Sequence, residues 1–553
     1  MSELAEIQEK ILESQNLLLR VEIMLLYPHV GGYAALPFDP TTRILELPRP
    51  TELKALWRWW ARVLLSAAYG GAKDYLSLDE KVADILGMRG KEISKFTIRI
   101  TIDHASFRKR FLEVYENNKQ ILENMKEDLK NIFNSFAEIG NEKCYIKSVC
   151  FRSFKSIQIN FGGKIDGLNH VFRRENIKLI IRNNKLNITP DKIEELEKIN
   201  KRIVEKVNKN YQELISNVSK YFKYGDIARL FIVSQGKGFE EIAVEKTIID
   251  ACESVKMTVD VFASRPLHDI GSGYSLDEIR FALYSFIIAL IFGSIGYASR
   301  RGFGSIVVEN INDGKALWIL AESLSAKDVI KEDVEYIKKL IFKIKSESLP
   351  ENIEASLQEL LQKAVDIVAQ AIGRVSKTGM VIPKVPTLLL NSYFKFKVFK
   401  CNDPLQSLHC ISEACLKDKW KNLTRATHSS RLHTWILGLP RGTNRGVRRG
   451  YLSKKGNRRP SAIHFKILKN ARGTYIVVYG FLSEDWPVDS LYHYSPKYGE
   501  GVLVTQLDVA RPSGRWHHST NNKYSMLTNV FNTAFEFIER IIKDCCKKGG
   551  CHA

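Results

Sequence analysis

Residues 281–298, FALYSFIIALIFGSIGYA, run for 18 positions without a charge, and such a segment has to be hidden either in a membrane or in a core. A membrane span needs about 20 predominantly apolar residues. This run is shorter, is interrupted by Tyr284, Ser285, Gly293, Ser294 and Gly296, and has no counterpart elsewhere in the chain. It reads as a helix buried on all sides that ends in a glycine-rich turn, with no membrane partner. A helix of that kind needs a sizeable domain around it. The chain has 553 residues, 44% hydrophobic and 26% charged, enough for roughly three or four units at about 100–200 residues each. This composition excludes a disordered chain, a collagen-like one and a small disulfide scaffold. The start, MSELAEIQEK, lacks the basic and apolar regions of a secretory signal, so a cytoplasmic location is expected. Nine cysteines at irregular spacings predict reduced thiols.

The near-continuous apolar run Leu17–Tyr27 predicts a strand, and a loop with glycine and proline leads from Gly31 to a helix starting near Thr51. Further strands are expected at Phe96–Ile102, Tyr145–Phe161, Ile177–Ile181, Leu230–Ser234 and Lys256–Phe262. Ser106–Phe136 and Pro190–Phe222 are charged and helix-forming, as solvated insertions usually are. Helix follows from Ser325 to Arg374, and VIPKVP at Val381–Pro386 marks a boundary, because proline breaks helix and ladder alike. Beyond it lie strands at Tyr393–Lys400, Ile463–Leu468 and Thr474–Phe481 and a closing helix at Asn529–Lys543. Strands mixed with helices in both halves make this an α+β protein. The expected division is 1–320, a connector at 321–380, and 381–553, with insertions at about 105–140 and 190–222.

Three constellations carry chemistry. In RPTELKALWRWWAR, Arg49–Arg62, Thr51 is positioned to cap a helix. Leu53, Leu56, Trp57, Trp60 and Leu64 share one side of it, while Lys54, Arg58 and Arg62 recur every four residues on the other. A core-facing tryptophan helix explains the first row; an unbroken row of cations is less usual on a merely solvated face. In SRRGFGSI, Ser299–Ile306, Gly302 and Gly304 permit positive φ and close approach of a ligand. Arg300 and Arg301 offer charge-assisted donors to phosphate, and Phe303 offers a ring for base stacking. A tight turn with incidental arginines is the plainer reading.

Charge gives the third and strongest signal. The net charge is +21, and from Lys419 to Ser483 there are 65 residues with 15 Lys and Arg and no Asp or Glu. The densest part, RGTNRGVRRGYLSKKGNRR, holds Arg441, Arg445, Arg448, Arg449, Lys454, Lys455, Arg458 and Arg459 around Tyr451. Like-charge repulsion destabilises such a segment unless a polyanion meets it. Basic, glycine-loosened loops with an aromatic suit single-stranded nucleic acid. Phosphate-loop, dinucleotide, metalloprotease and paired-cysteine motifs are absent. Cys401, His409, Cys410 and Cys415, and equally Cys545, Cys546, Cys551 and His552, lack zinc-finger spacing. No catalytic residue, metal or other cofactor is therefore expected. The alternative is an enzyme, with His428 or His433 as a base acting on RNA. A weaker alternative is a peripheral membrane protein using the basic patch.

The Gly31–Gly32 loop, the RPTELKALWRWWAR helix, the SRRGFGSI loop and RRPSAIHFK at Arg458–Lys466 together resemble the repeat-associated mysterious proteins (RAMPs) of CRISPR systems. The likeness is closest to the first-numbered RAMP subunits of type III-B (Cmr) effectors, and it runs from about residue 29 past 480, excluding the charged helices. Ala55 stands where that family's helix has glycine. The resemblance implies tandem ferredoxin-like (RRM-like) domains with helical insertions. It also implies a non-catalytic role near the 3′ end of a guide RNA, capture of single-stranded target RNA for antiviral defence, and other Cmr RAMP subunits as partners. The enzymatic alternative within the same superfamily is a metal-independent endoribonuclease that processes guide RNA.

Overall fold

The computed structural model describes residues 16–28, 38–39, 44–87, 93–137, 145–153, 156–162, 178–182, 185–189, 239–264, 273–296, 298–372, 382–390, 393–424, 429–438, 441–443, 449–453, 460–495, 498–510, 512, 516–517 and 522–548. They fall into two compact units: 1–30 with 47–103 and 254–553, and 31–46 with 104–253. The smaller unit is thus spliced into two loops of the larger. Its described parts are a ribbon of Phe38–Asp39 and Ile44–Leu45, helices at His104–Ala137 and Phe239–Ala251, and a four-stranded antiparallel sheet formed by Tyr145–Ser153, Ser156–Gly162, Lys178–Arg182 and Lys185–Thr189. Phe38 packs on Phe111 and Tyr115, with ring centroids 5.2 and 4.9 Å away. The strand expected at Leu230–Ser234 and the helix expected at Pro190–Phe222 lie outside the described residues.

In the larger unit the first half runs β1 (Leu17–Leu26), α1 (Pro50–Ala68), α2 (Tyr75–Leu86), β2 (Phe96–Thr101), β3 (Val255–Ala263), α3 (Leu276–Phe292) and β4 (Ser305–Asp313). The sheet order is β4-β1-β3-β2 with every neighbour antiparallel. A βαββαβ chain in that order has ferredoxin-like topology, and the smaller unit's main segment sits between its second and third strands. Alternation within β1 sends Leu19, Val21, Ile23 and Leu25 inward.

The apolar run becomes α3, buried nearly throughout. Its polar atoms are satisfied inside the core: Trp57 Nε1 donates to Ser285 Oγ at 2.9 Å, and the Tyr284 hydroxyl donates to Asp333 at 2.8 Å. Arg280 pairs with the same carboxylate at 2.7 Å. Asp333 belongs to α5 (Lys327–Ser346), which follows α4 (Lys315–Ser323) and precedes α6 (Pro350–Ala371). No described helix is long and apolar enough to cross a membrane.

The second half runs β5 (Phe394–Cys401), α7 (Pro404–Ala414), α8 (Lys417–Thr424), β6 (Arg441–Thr443), β7 (Arg449–Ser453), β8 (Ile463–Asn470), β9 (Gly473–Phe481), β10 (Leu491–Ser495), β11 (Tyr498–Leu503) and α9 (Lys523–Lys548). Strands β5-β9-β8 form an antiparallel sheet in the 1-3-2 order of a ferredoxin-like unit, backed by α7 and α9; β6-β7-β10-β11 form a separate sheet. Both halves are therefore α+β and related in plan. Asp403 caps α7, its side chain accepting from Gln406 N–H at 2.8 Å.

One expectation fails here. Four of the nine cysteines are not reduced thiols, because Cys401 is bridged to Cys546 and Cys410 to Cys545. The partners stand 145 and 135 residues apart, beyond the reach of any spacing rule.

Candidate nucleic-acid interface

Helix α1 starts at Pro50 with Arg49 as its N-cap residue, so Thr51 lies two residues too far in to cap it. Leu53, Trp57, Trp60 and Leu64 are buried as expected, and Ala55 is exposed, where exchange with glycine changes no packing. The cationic row is less free than its spacing promised. Lys54 Nζ donates to Ser94 Oγ at 2.7 Å and to the Phe96 carbonyl, with Trp57 4.9 Å away. Burial first, and the charge of Arg58 second, push its ammonium down to about 7. Arg62 pairs with Asp79 of α2. Arg58 is half-exposed and forms no hydrogen bond or ion pair with a described residue. Of this row, Arg58 is best placed to meet an anion.

The glycine loop is a seam between the two halves. The Arg300 carbonyl accepts the Phe465 N–H of β8 at 3.2 Å, and Ser305 Oγ accepts the Ile467 N–H at 2.9 Å. Arg301 is 4% exposed, donates from Nη2 to the Leu437 carbonyl at 2.6 Å and lies 5.5 Å from the Phe465 ring. Phe303 is 2% exposed. Gly304 has φ +63°, and a Cβ there would stand 1.9 Å from the Ile295 carbonyl oxygen. At Gly302, φ is +88° and a Cβ would meet Ile411 at 2.8 Å. The glycines thus admit neighbouring protein. A phosphate grip by Arg301 and base stacking on Phe303 do not match this burial; Arg300, half-buried beside them, keeps a path to solvent.

In the acid-free segment, Arg441 and Arg449 stand on the antiparallel pair β6–β7, opposite Tyr451 and Thr443 respectively. Arg445, Arg448, Lys454, Lys455, Arg458 and Arg459 lie outside the described residues. Tyr451 is 1% exposed and packs edge-on against His493 of β10 at 4.7 Å, so this ring too is unavailable for stacking. Its burial anchors the hairpin. His433 is also structural: it is buried, its Nε2 meets the Asp508 carbonyl at 3.0 Å, and its Nδ1 accepts the Trp435 indole N–H at 3.1 Å. Burial drives its imidazole down to about 4, which leaves it poorly suited to acid–base work near neutrality. His428 lies outside the described residues.

One cationic row went unread in the sequence. Arg20 and Arg99 each stand opposite Asp260 across β1, β3 and β2, and pair with it at 2.8 and 2.6 Å. Their side chains are 31% and 37% exposed, whereas Asp260 is 1% exposed. The solvent-facing part of the row is therefore cationic. The signal was present as one arginine in each of LLLRVEIMLL and FTIRIT and one aspartate in VKMTVDVFA, hidden by the apolar residues around them.

Two interlocked ferredoxin-like halves joined by a glycine loop define a class. The sequence model of the RAMP superfamily matches residues 23–307, more than half of the chain, and the protein belongs to that superfamily. The chain is 23% identical over 308 residues to the CRISPR system CMR subunit Cmr1 of Saccharolobus solfataricus, covering 54% of this chain and 55% of that one. It thus spans about half the length of this curated relative. Among solved structures, a chain of the type III-B Cmr-beta bound to cognate target RNA and AMPPnP, state 2, in the presence of ssDNA, is matched at TM-score 0.46 and 15% identity, over 95% of this chain and all of that one. Cmr1 from Pyrococcus furiosus in its apo form is matched at TM-score 0.39 and 15% identity, over 88% and 92% of the two chains.

Proposed function

We propose that this protein is a non-catalytic RNA-binding subunit of a type III-B Cmr effector in the cytoplasm. It contacts guide RNA near the 3′ end and helps to capture complementary single-stranded target RNA beside other RAMP subunits. The observation that carries this reading is the run of 65 residues with 15 cations and no acid, whose middle is a hairpin anchored by a buried tyrosine. The cations carried by this segment are the groups that would meet a phosphate backbone. Arg58, Arg300 and the Arg20–Arg99 row supply further positive surface. The curated relative's name supports the assignment to a Cmr complex.

The test is RNA capture by the purified chain across a salt series. Changing Arg445, Arg448 and Arg449 to Glu should weaken capture and flatten its salt dependence. On a single strand the slope should fall by about 0.7 for each phosphate no longer neutralised. Unchanged affinity and slope in a variant with native circular dichroism would defeat the assignment. Incubation with repeat RNA in EDTA addresses the enzymatic alternative. Discrete cleavage that disappears in a His428→Ala variant would establish an endoribonuclease instead.

A further inference from the structure

Two sets of residues that looked unrelated along the chain meet in space. Cys401 closes β5, Cys410 lies midway along α7, and Cys545 with Cys546 sits near the end of α9. The sulfurs of Cys401, Cys410 and Cys546 all lie within 4.8 Å of one another, and that of Cys545 is bonded to Cys410. A second group, His409, Glu413 and Cys545, is drawn together as closely. Cys401, Cys410 and Cys545 are at most 9% exposed, while Cys546 is half-buried, which provides a way in from solvent.

Soft divalent ions take four thiolates in a tetrahedron with metal–sulfur bonds of about 2.3 Å, which sets the sulfurs about 3.8 Å apart. The Cys410 sulfur lies within 4.8 Å of both sulfurs of the other bridge, at most about 1 Å beyond that spacing, and each bonded pair, about 2 Å apart, has to part by a little under 2 Å once reduced. The three elements that carry them are fixed independently of the sulfurs, by the β5–β9 ladder, the Asp403 cap of α7 and the packing of α9 under the sheet. Lys543 and Lys547 lie exposed on the same helical turn as the two adjacent cysteines, outnumbering Asp544 there, and favour the anionic state of the cluster.

We propose that Cys401, Cys410, Cys545 and Cys546 form a redox-gated site for a soft divalent metal ion such as zinc. In the oxidised chain the four sulfurs make the two disulfides seen here. Two equivalents of a dithiol reductant deliver four electrons and four protons, break both S–S bonds and leave four thiols, while the reductant leaves as its disulfide. One metal ion then displaces four protons and is held by four thiolates with a net charge of −2. Close spacing lets reduction spread. Once the Cys410–Cys545 bridge opens, the Cys410 sulfur lies within 4.8 Å of both sulfurs of the other bridge, within reach of thiol–disulfide exchange. His409 and Glu413 flank Cys545 as outer partners, a position from which such groups orient a ligand.

The test uses the full chain, reduced with a phosphine under argon and titrated with Co²⁺. One ion per chain, with the intense visible bands of a tetrahedral cobalt thiolate and displacement by Zn²⁺, is the expected result. The bands should vanish in Cys401→Ser and Cys546→Ser and persist in Cys252→Ser and Cys415→Ser. Because a serine variant risks misfolding, alkylation of the unmodified reduced chain gives an independent reading. Zn²⁺ should protect these four cysteines from iodoacetamide by at least tenfold, as read by mass spectrometry. Any of three results overturns the proposal: no stoichiometric uptake by the reduced chain, loss of its helical circular dichroism on reduction even with Zn²⁺ present, or protection mapping to other cysteines.

Discussion

Arg301 donates to the Leu437 carbonyl from a site closed to solvent, with the Phe465 ring beside it. Replacing it with Met leaves that carbonyl without its donor, at a cost of about 1–3 kcal/mol. The expected result in Arg301→Met is a lower denaturation midpoint with the salt slope of RNA capture unchanged. A slope that falls with the midpoint would place Arg301 on phosphate instead. His433 carries a pH prediction. Its imidazole is held near 4 in the folded chain against about 6.5 unfolded. Between those values the unfolded chain binds the extra proton, so this contribution is complete above pH 6.5 and is lost as pH falls towards 4. Its slope is at most about 1.4 kcal/mol per pH unit. His493, also lowered to about 4 by burial, adds to the same limb. Unfolding measured from pH 7 to 4 should show a shallower acid limb in His433→Asn.

At the scale of elements, α1 and α9 are held in different ways. Helix α1 is held by packing: Trp60 lies 5.5 Å from Phe292 and 5.7 Å from Tyr479, and so touches α3 and the second half's β9 at once. Trp60→Ala should cost about 3–5 kcal/mol in chemical denaturation, with both halves losing structure together. Helix α9 is also held covalently, by bridges that close loops of 145 and 135 residues. In the chain-entropy account a loop of about 100 residues is worth about 4.7 kcal/mol. The second bridge adds little, because the first has already removed most of the same freedom. Calorimetry of the metal-free chain should therefore show a lower Tm after reduction of both bridges, and little change when Cys401→Ser and Cys546→Ser remove only one.

Across the whole larger unit, the glycine loop sets how the two sheets meet. The Arg300 carbonyl and Ser305 hydroxyl take over hydrogen bonds on the edge of β8 that no other strand of its sheet pairs, and Lys466 reaches back from β8 to the Leu290 carbonyl at 2.6 Å. Burial lowers the Lys466 ammonium well below its ordinary value. Gly304→Val places side-chain atoms where the Ile295 carbonyl already is and loads a positive-φ position with a branched residue. It should separate the halves, seen as earlier protease cleavage between them, well before either half unfolds alone.

Local patterns could be read from the residues alone because their causes lie within a few neighbours. The uncharged run had to be an interior helix, β1 an inward-facing strand, and the segment from Lys419 to Ser483 a concentration of positive charge. The family likeness rests on such short stretches too. The helix α7, only 11 residues long, and the second sheet, whose short strands are interrupted by glycine, were not foreseen, since neither offers a long enough periodic run. Three assignments needed the chain to be folded: Arg301, Phe303 and Tyr451 facing inward, the Arg20–Asp260–Arg99 row, and the meeting of cysteines from three elements. Each depends on residues far apart in the chain coming together, as Arg20 and Asp260 do across 240 positions. Contacts of that range follow from how strands order and sheets pack, and no short window of sequence carries that information.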